Sequence, residues 1–438
     1  MKPTVAIVGR PNVGKSTFFN KTAGRRISIV QDVPGVTRDR IVADAEWRGR
    51  HITGIDTGGI EFNTADNMIS HIFRQAKLAM DAADVIVFFV DHRAGLTSDD
   101  YAFAEVLRKC GKPVILAVNK MDVFKPDALY GYYELGLGEP FGVSSEQGMG
   151  LGDLLDEIIR SFPKNEPEEE TDALKIAVVG KPNAGKSSIV NKILNEERVI
   201  VSDIAGTTRD AVDTPVMLDG QKYIIIDTAG LRRKRGVEER SVEAVSAIMA
   251  MKAIERADVV LVLFDAAESL SEQDVRIAGY VDDLGKPSVI VVNKWDAVEK
   301  DTYTAKRYED ALGEALKFMS YALPVFVSAK TGQRVDKAVG LARVAYANSS
   351  RRISTGVLNE LISDAVAVTE PPSFSGRRLK IYYSVQAEAN PPTFIMFVND
   401  GRLMHFSYKR YLENALRRSV DFTGTPIRLI IRNKESNQ

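Results

Sequence analysis

A single cysteine, Cys110, stands in this chain of 438 residues. It cannot pair within the chain, so a disulfide framework is excluded, and the thiol is expected to be buried or idle in a reducing compartment. Histidine is almost as scarce: His51, His71, His92 and His405 are scattered, without the spacing that gathers metal ligands. Long hydrophobic runs are missing too. The longest, Val85 to Val90 and Val259 to Phe264, are strand-length, against the roughly 20 residues a membrane helix needs. Net charge is nearly absent, 58 Lys+Arg against 59 Asp+Glu giving -1, which excludes a uniformly basic chain but leaves room for local patches. Hydrophobic residues at 45% and charged residues at 27% exclude a disordered or fibrous chain. The N-terminus passes from "KPTVAIVG" directly into a glycine-rich loop, leaving no space for a signal peptide. The expected location is the cytoplasm, with no membrane association.

What the chain has instead is one pattern written twice. "GRPNVGKS" at Gly9 returns as "GKPNAGKS" at Gly180, 171 residues later. The same offset separates Thr37 of "VTRD" from Thr208 of "TTRD", and Asp56 of "DTGG" from Asp227 of "DTAG". "NKMD" at Asn119 and "NKWD" at Asn293 lie 174 apart, so about three residues were added between. Motifs in register over two long segments are what duplication produces. Each loop follows a Val/Ile-rich run and opens a helical pattern, the strand-loop-helix context a phosphate loop requires. Such runs alternate with helical patterns through both copies, which predicts mostly parallel sheets with helices on both faces. The fold class is α/β: two doubly wound P-loop domains at 1–162 and 174–348, joined by an acidic linker at 163–173. Residues 349–438 read helix, strand, strand, helix, strand, an α+β domain with an antiparallel sheet.

The chemistry follows from residue types at these spacings. In Gly9, Arg10, Pro11, Asn12, Val13 and Gly14, and in Gly180, Lys181, Pro182, Asn183, Ala184 and Gly185, the glycines let backbone N–H groups approach phosphates, and the following helix adds its positive end. Lys15 and Lys186 reach the β- and γ-phosphates, while Ser16 and Ser187 put a hydroxyl on Mg²⁺. Asp56 and Asp227 end apolar runs where a carboxylate can hold the metal's hydration shell, and Thr37 and Thr208 are assigned to the same ion. The turns continue through Thr57, Gly58, Gly59 and Ile60, and through Thr228, Ala229, Gly230 and Leu231. Gly59 and Gly230 offer a backbone N–H to the γ-phosphate. Lys15, Thr37, Gly59, Lys186, Thr208 and Gly230 form the catalytic set.

Base choice comes from Asn119, Lys120, Met121 and Asp122, and from Asn293, Lys294, Trp295 and Asp296. The carboxylate of Asp122 or Asp296 accepts both N1–H and the exocyclic amine of guanine, a donor pair adenine lacks. A pocket built for that pair rejects the base without it, so the nucleotides are GTP and GDP. Ser144 and Ser145, and Ser328, Ala329 and Lys330, supply a last loop whose backbone N–H groups meet guanine O6.

These motifs resemble the translation-factor branch of P-loop GTPases. The tandem layout, ending in "PPTFIMFVND" and "LMHFSYKRYLEN", resembles the Der (EngA) family of bacterial double GTPases over nearly the whole chain. Departures are small: Lys181 stands where an arginine like Arg10 is usual, and Ala184 where valine is. The resemblance implies a KH-like C-terminal domain, a monomer, and action in assembly of the 50S ribosomal subunit on its rRNA. Ile60 and Leu231 occupy the place of the water-orienting glutamine of Ras-like enzymes. The resemblance offers a substitute, a K⁺ ion seated beside the phosphates by Asn12 and Asn183; Arg38 and Arg209 are alternative charge donors in cis, and a third possibility is that each asparagine only braces its own loop. From Arg351 onward there are 13 Lys+Arg against 8 Asp+Glu, so the even total hides a basic end. No G-x-x-G loop occurs there, the element that clamps the backbone in ordinary KH modules. Arg377, Arg378, Lys380, Arg417 and Arg418 are candidates to track phosphates, or form a solvated basic face. A second basic run, "LRRKRG" from Leu231, directly follows the second "DTAG". Two other functions share these motifs: a GTPase serving tRNA modification, and a scaffold that holds GTP without hydrolysing it.

Overall fold

The computed structural model describes residues 3–23, 42–57, 76–123, 126–163, 172–194, 213–218, 220–226, 240–371, 373–374 and 377–434. The chain forms two compact units, Met1–Glu168 with Gly236–Met249, and Glu169–Arg235 with Ala250–Gln438.

In the first unit the strands are β1 (Thr4–Val8), β2 (Val42–Trp47), β3 (Arg50–Asp56), β4 (Val85–Asp91), β5 (Val114–Asn119) and β6 (Pro140–Gly142). They lie in the order β2-β3-β1-β4-β5-β6, all parallel except the β2–β3 pair. β1 and β4 are buried along their whole length, because a strand covered on both faces must be apolar at every position rather than at every second one. Alternate residues feed two cores. Ala6, Val8, Phe88 and Val90 pack with Phe103, Ala104 and Leu107 of the helix Ser98–Arg108. Val5, Ile7, Val87 and Phe89 pack with Phe18 and Phe19 of the helix Lys15–Ala23 and with Leu154 and Ile158 of the helix Leu151–Ser161.

The second repeat uses β7 (Leu174–Gly180), β8 (Thr214–Leu218), β9 (Gln221–Ile225), β10 (Val259–Asp265), β11 (Ser288–Asn293) and β12 (Pro324–Phe326). Its order, β12-β11-β10-β7-β9-β8, is the first sheet read from the other edge, with β8–β9 again the antiparallel pair. Duplication seen in motif offsets is thus present in strand order. In both sheets the phosphate loop leaves the central strand where chain direction switches to either side, at the carboxyl ends, the usual place for a ligand in such folds.

The C-terminal segment has the helix Thr355–Val368, short strands β13 (Ser373–Phe374) and β14 (Arg377–Arg378), then β15 (Ile381–Glu388), β16 (Thr393–Val398), the helix Phe406–Ser419 and β17 (Arg428–Asn433). β15 and β16 are antiparallel, but β16 and β17 are parallel, which corrects the expected antiparallel sheet. The physical reason is the intervening helix, a crossover that returns the chain to the same end before β17 begins. Leu358, Ile362, Phe394, Met396, Leu412, Leu416 and Phe422 form the core.

This segment is stitched onto the second repeat. Ser288 N–H, at the start of β11, donates to Gly424 O at 2.7 Å, and Gly424 N–H donates to Tyr321 O at 2.7 Å. Asn348 Nδ2 donates to Thr423 O at 3.0 Å, Thr425 Oγ1 to Ala345 O at 2.7 Å, and Arg428 Nη2 to Asp283 O at 2.9 Å. Asn348 and Thr425 are fully buried, so these polar contacts are satisfied away from water, where leaving one partner unpaired costs about 1–3 kcal/mol. Cys110 is half-buried and unpaired by any disulfide. Among the described residues no helix is long and apolar enough to cross a membrane.

Candidate functional site

Each phosphate loop is shaped by contacts that only glycine permits. Gly9 sits at φ 142°, where a Cβ would meet Phe89 O at 2.3 Å; Gly14, at φ 94°, would drive one into Asn119 Nδ2 at 2.2 Å. The second loop repeats this: Gly180 would strike Leu263 O at 2.5 Å and Gly185 Asn293 Nδ2 at 2.1 Å. Asn12 and Asn183, at φ 65° and 66°, take the left-handed conformation that asparagine tolerates better than most residues. Lys15 Nζ donates to Gly9 O and Arg10 O, both at 2.8 Å, and Lys186 Nζ to Gly180 O at 2.7 Å and Lys181 O at 2.5 Å. The ammonium is thereby held inside the ring of the loop. Burial pulls the Lys15 pKa down to about 8, against the opposing pull of the Asp56 carboxylate. The negative charge of a phosphate arriving there favours the ammonium form and opposes that lowering. Asp56, buried, ends β3 beside Ile7 of β1, and Thr57 Oγ1 donates to Ile7 O at 2.9 Å.

The base side is tied to the phosphate side by one asparagine per site. Asn119 Nδ2 donates to Val13 O at 2.7 Å while its Oδ1 accepts from Ser145 N–H at 2.9 Å. Asn293 does the same with Ala184 O at 2.9 Å and Ala329 N–H at 3.0 Å. Ser144 Oγ donates to Asp122 Oδ1 at 2.9 Å, and Ser328 Oγ to Asp296 Oδ1 at 2.5 Å. These bonds turn each carboxylate and help keep it ionised: Asp122 lies below the usual carboxylate range through Arg93 and then Ser144, and Asp296 through Ser328. Met121 and Trp295 are buried, each N–H donating to the neighbouring strand's loop, Val143 O at 3.1 Å and Val327 O at 3.0 Å. Trp295 packs on Phe326 with centroids 4.3 Å apart. Ser145 and Ala329 give their N–H groups to asparagine, and Ser144 gives its own to Met149 O at 3.0 Å, so this loop is fixed against the base motif.

Several acids outside the motifs support the site. Lys120 and Lys294 stand at positive φ and pair with Asp91 at 2.6 Å and Asp265 at 2.5 Å, acids that end β4 and β10. Burial works against ionising Asp91, but the bonds from Lys120 and from the Ala94 and Arg93 N–H groups outweigh it. Asp100 and Asp274 complete capping boxes with Thr97 and Ser271, a device that satisfies the free N–H groups of a helix start. The same two acids anchor the loops: Arg10 pairs with Asp100 at 3.3 Å, and Lys181 with Asp274 at 3.1 Å and Glu268 at 2.8 Å. Lysine at 181 therefore does the work of Arg10 by recruiting a second carboxylate. Burial lowers its pKa, and the bonds to Glu268 and Asp274 more than restore it. Both acid pairs keep the 174-residue offset of the base motif, a signal that would have found them. Arg93 contacts Asp122 directly, and the equivalent position in the second site is Ala267.

Ser16 and Ser187 take the second position of the helices Lys15–Ala23 and Lys186–Leu194. With buried Asp56, they offer the hard oxygen donors that Mg²⁺ prefers. Among the described residues no group of three His, Cys, Asp or Glu side chains gathers into a metal cage. Thr37, Arg38, Gly58, Gly59, Ile60, Thr208, Arg209, Asp227, Thr228, Ala229, Gly230, Leu231 and the rest of "LRRKRG" lie outside the described residues.

Two sheets of one strand order, each with a lysine-bearing phosphate loop tied by asparagine to a base-reading carboxylate, define a P-loop GTPase with two nucleotide domains. A family described as "50S ribosome-binding GTPase" matches residues 4–120 and 175–294, and one described as "KH-domain-like of EngA bacterial GTPase enzymes, C-terminal" matches residues 352–432. GTPase Der of Acetivibrio thermocellus is 54% identical over 437 residues, covering 99% of either chain. GTPase Der of Clostridium tetani is 55% identical over 436 residues, again 99% of both. The chain belongs to the Der (EngA) family of tandem GTPases, with a KH-like C-terminal domain, and hydrolyses GTP.

Proposed function

We propose that the chain is a cytoplasmic, monomeric switch with two GTP inputs that acts in late assembly of the 50S ribosomal subunit, on its rRNA. What carries this reading is the repetition of one complete constellation, Lys15–Asn119–Asp122–Ser144 and Lys186–Asn293–Asp296–Ser328, in a family whose description includes ribosome binding. The chain's domains divide at 1–162, 174–348 and 349–438, with 163–173 as linker.

The residues take these roles. Lys15 and Lys186 hold the β- and γ-phosphates; Asp122 and Asp296 read guanine N1–H and its amine; backbone N–H groups of the loops at Ser144 and Ser145, and at Ser328, Ala329 and Lys330, meet O6. Mg²⁺, held by Ser16, Thr37 and Asp56 or by Ser187, Thr208 and Asp227, supplies neutralisation of phosphate charge when bound. Gly59 and Gly230 present N–H groups to the γ-phosphate, so loss of that phosphate releases the adjoining turn, including "LRRKRG" after the second one. The deciding experiment is sedimentation of the full chain with purified large subunits. Binding is expected to be severalfold stronger with a non-hydrolysable GTP analogue than with GDP. Equal binding in the two states would overturn the switch.

Hydrolysis is expected to be severalfold faster in K⁺ than in Na⁺ at equal ionic strength. The apolar Ile60 and Leu231 cannot orient water, and Asn12 and Asn183 stand in the loops where a monovalent cation would stabilise transition-state charge. Asn12→Ala or Asn183→Ala should remove the difference at its own site, with affinity for a fluorescent GDP as the control for backbone strain. Equal wild-type rates in the two salts would exclude the ion.

A further inference from the structure

The C-terminal sheet has one face that the fold uses and one that it does not. Ser384, Phe394, Met396, Val398 and Leu429 are buried on the inner side. On the outer side the register sets two rows across the strands, Tyr383–Phe397–Arg432 and Val385–Ile395–Ile430. The Tyr383 and Phe397 rings stack with centroids 4.4 Å apart and planes 16° from parallel. Between Ile381 and Tyr383 the register shifts, so Tyr382 is the extra residue of a bulge, a device that re-aims a side chain. Its ring lies under two ammonium groups, Lys434 Nζ at 4.8 Å and Lys380 Nζ at 5.7 Å. Tyr382 is 44% exposed and Tyr383 41%. At the far end of the sheet Arg428 is engaged with Asp283, so the free end is the one that carries the tyrosines.

Among the described residues, charge at that end is one-sided. Lys380, Arg432 and Lys434 are exposed, and no ion pair among the described residues engages them. The nearby carboxylates are already matched, Glu370 with Arg378 at 2.7 Å and Asp400 with Arg402 at 2.8 Å. Exposed rings beside unneutralised cations fit a ligand that alternates flat apolar surface with negative charge, which is the composition of a single nucleic-acid strand. A duplex has its bases already stacked on one another and cannot offer them to a ring. The missing G-x-x-G loop removes the ordinary KH clamp and leaves this face as the alternative.

We propose that the outer face of β15–β16–β17 is a stacking platform for single-stranded RNA, with bases on Tyr382 and on the Tyr383–Phe397 pair and phosphates at Lys380, Arg432 and Lys434. The proposal rests on the ribosomal reading for the source of the strand, and on the face alone for its chemistry. Ring stacking tolerates any base, so recognition is of an unpaired strand rather than of a sequence.

The test uses the full chain saturated with GDP and labelled oligo(U) of about twelve nucleotides, within the range one such platform covers, followed by fluorescence anisotropy. Wild type is expected to bind the single strand more tightly than a duplex of equal length, and oligo(A) about as well as oligo(U). Tyr383→Ala should weaken single-strand binding about 5- to 150-fold, the range for loss of one stacked base, and Tyr383→Trp should restore it. The double variant Lys380→Ala/Lys434→Ala should flatten the slope of log affinity against log salt by about 1.4, for two lost phosphates. GTP hydrolysis should be unchanged in all of them. Should Tyr383→Ala disturb the sheet, Tyr382→Ala on the exposed bulge reads the same property. Failure of wild type to prefer the single strand, or unchanged affinity in the ring variants, overturns the platform and leaves the ribosomal reading standing. Reduced oligonucleotide binding in the variants, with wild-type sedimentation indifferent to nucleotide, does the reverse. A ring variant that no longer sediments with large subunits yet keeps its oligonucleotide affinity assigns the face to a protein partner, and the RNA platform falls.

Discussion

Asp296→Asn is expected to convert the second site from guanine to xanthine nucleotides. In the native site Asp296 Oδ1 accepts from Ser328 Oγ, which turns the carboxylate and holds it ionised, leaving Oδ2 and the second lone pair of Oδ1 as acceptors. Guanine presents two donors to that group. An amide keeps one acceptor and turns the other position into a donor, so one guanine N–H meets an N–H. Leaving such a pair unmatched in a site built around it lowers affinity by about 10⁴-fold. Xanthine carries a carbonyl where guanine carries its amine, and that carbonyl accepts from the new amide. The measurement is affinity for fluorescent GDP and XDP with the first site silenced by Lys15→Ala, and an unaltered preference for GDP would refute the assignment of Asp296. At the first site the same change also frees Arg93 from Asp122. The two inversions should therefore differ in salt dependence, the first site being the more sensitive.

Gly424→Ala is expected to undo the join between the C-terminal domain and the second repeat. Gly424 sits at φ 75°, and a Cβ there would lie 2.4 Å from Ala345 Cβ and 3.4 Å from Ser288 O. The left-handed backbone alone costs an alanine about 1–2 kcal/mol, and forcing a methyl into a packed contact adds about 1–3 kcal/mol. Together these should lower the second unit's thermal transition by roughly 5–15 °C, at the few degrees per kcal/mol usual for a body of this size. Gly220, at φ 75° with nothing within 4 Å, isolates the backbone part, so Gly220→Ala should cost clearly less. Equal calorimetric shifts for the two variants would mean that the contact with Ala345 carries no weight. A chain cut after residue 348 is a poorer tool, because it strips the partners of buried Asn348, Ala345 and Ser288.

The nucleotide sites could be read from the chain because their demands are local. A glycine at φ 94° pressed against Asn119, or a strand ending in Asp56, follows from a few residues at fixed spacing. The repeat then implied that both copies share one doubly wound fold, while the strand order itself came from the structure. What escaped notice depends on partners distant in sequence. Asp100 and Asp274 look like ordinary helix-capping acids until Arg10 and Lys181 fold onto them. Arg93 acquires meaning only beside Asp122. The parallel β16–β17 pair was missed because apolar alternation marks strands without giving their direction. Nothing in Gly424 or Ser288 marks a join between domains, for a backbone-to-backbone bond leaves no trace in residue type.

β11 has a contact of consequence at each end. Its first residue, Ser288, is bonded to Gly424 of the C-terminal domain; its last, Asn293, is bonded to the phosphate loop at Ala184 and to the base loop at Ala329. Between them every residue is buried, and six residues at about 3.3 Å each span about 20 Å. Whatever grips the C-terminal domain and whatever fills the second nucleotide site thus pull on one beam, and free-energy coupling between two ligands is the same viewed from either of them. If nucleotide strengthens the grip of that domain on its partner by some factor, the partner tightens the nucleotide by that same factor, and a titration at one end of β11 measures events at the other.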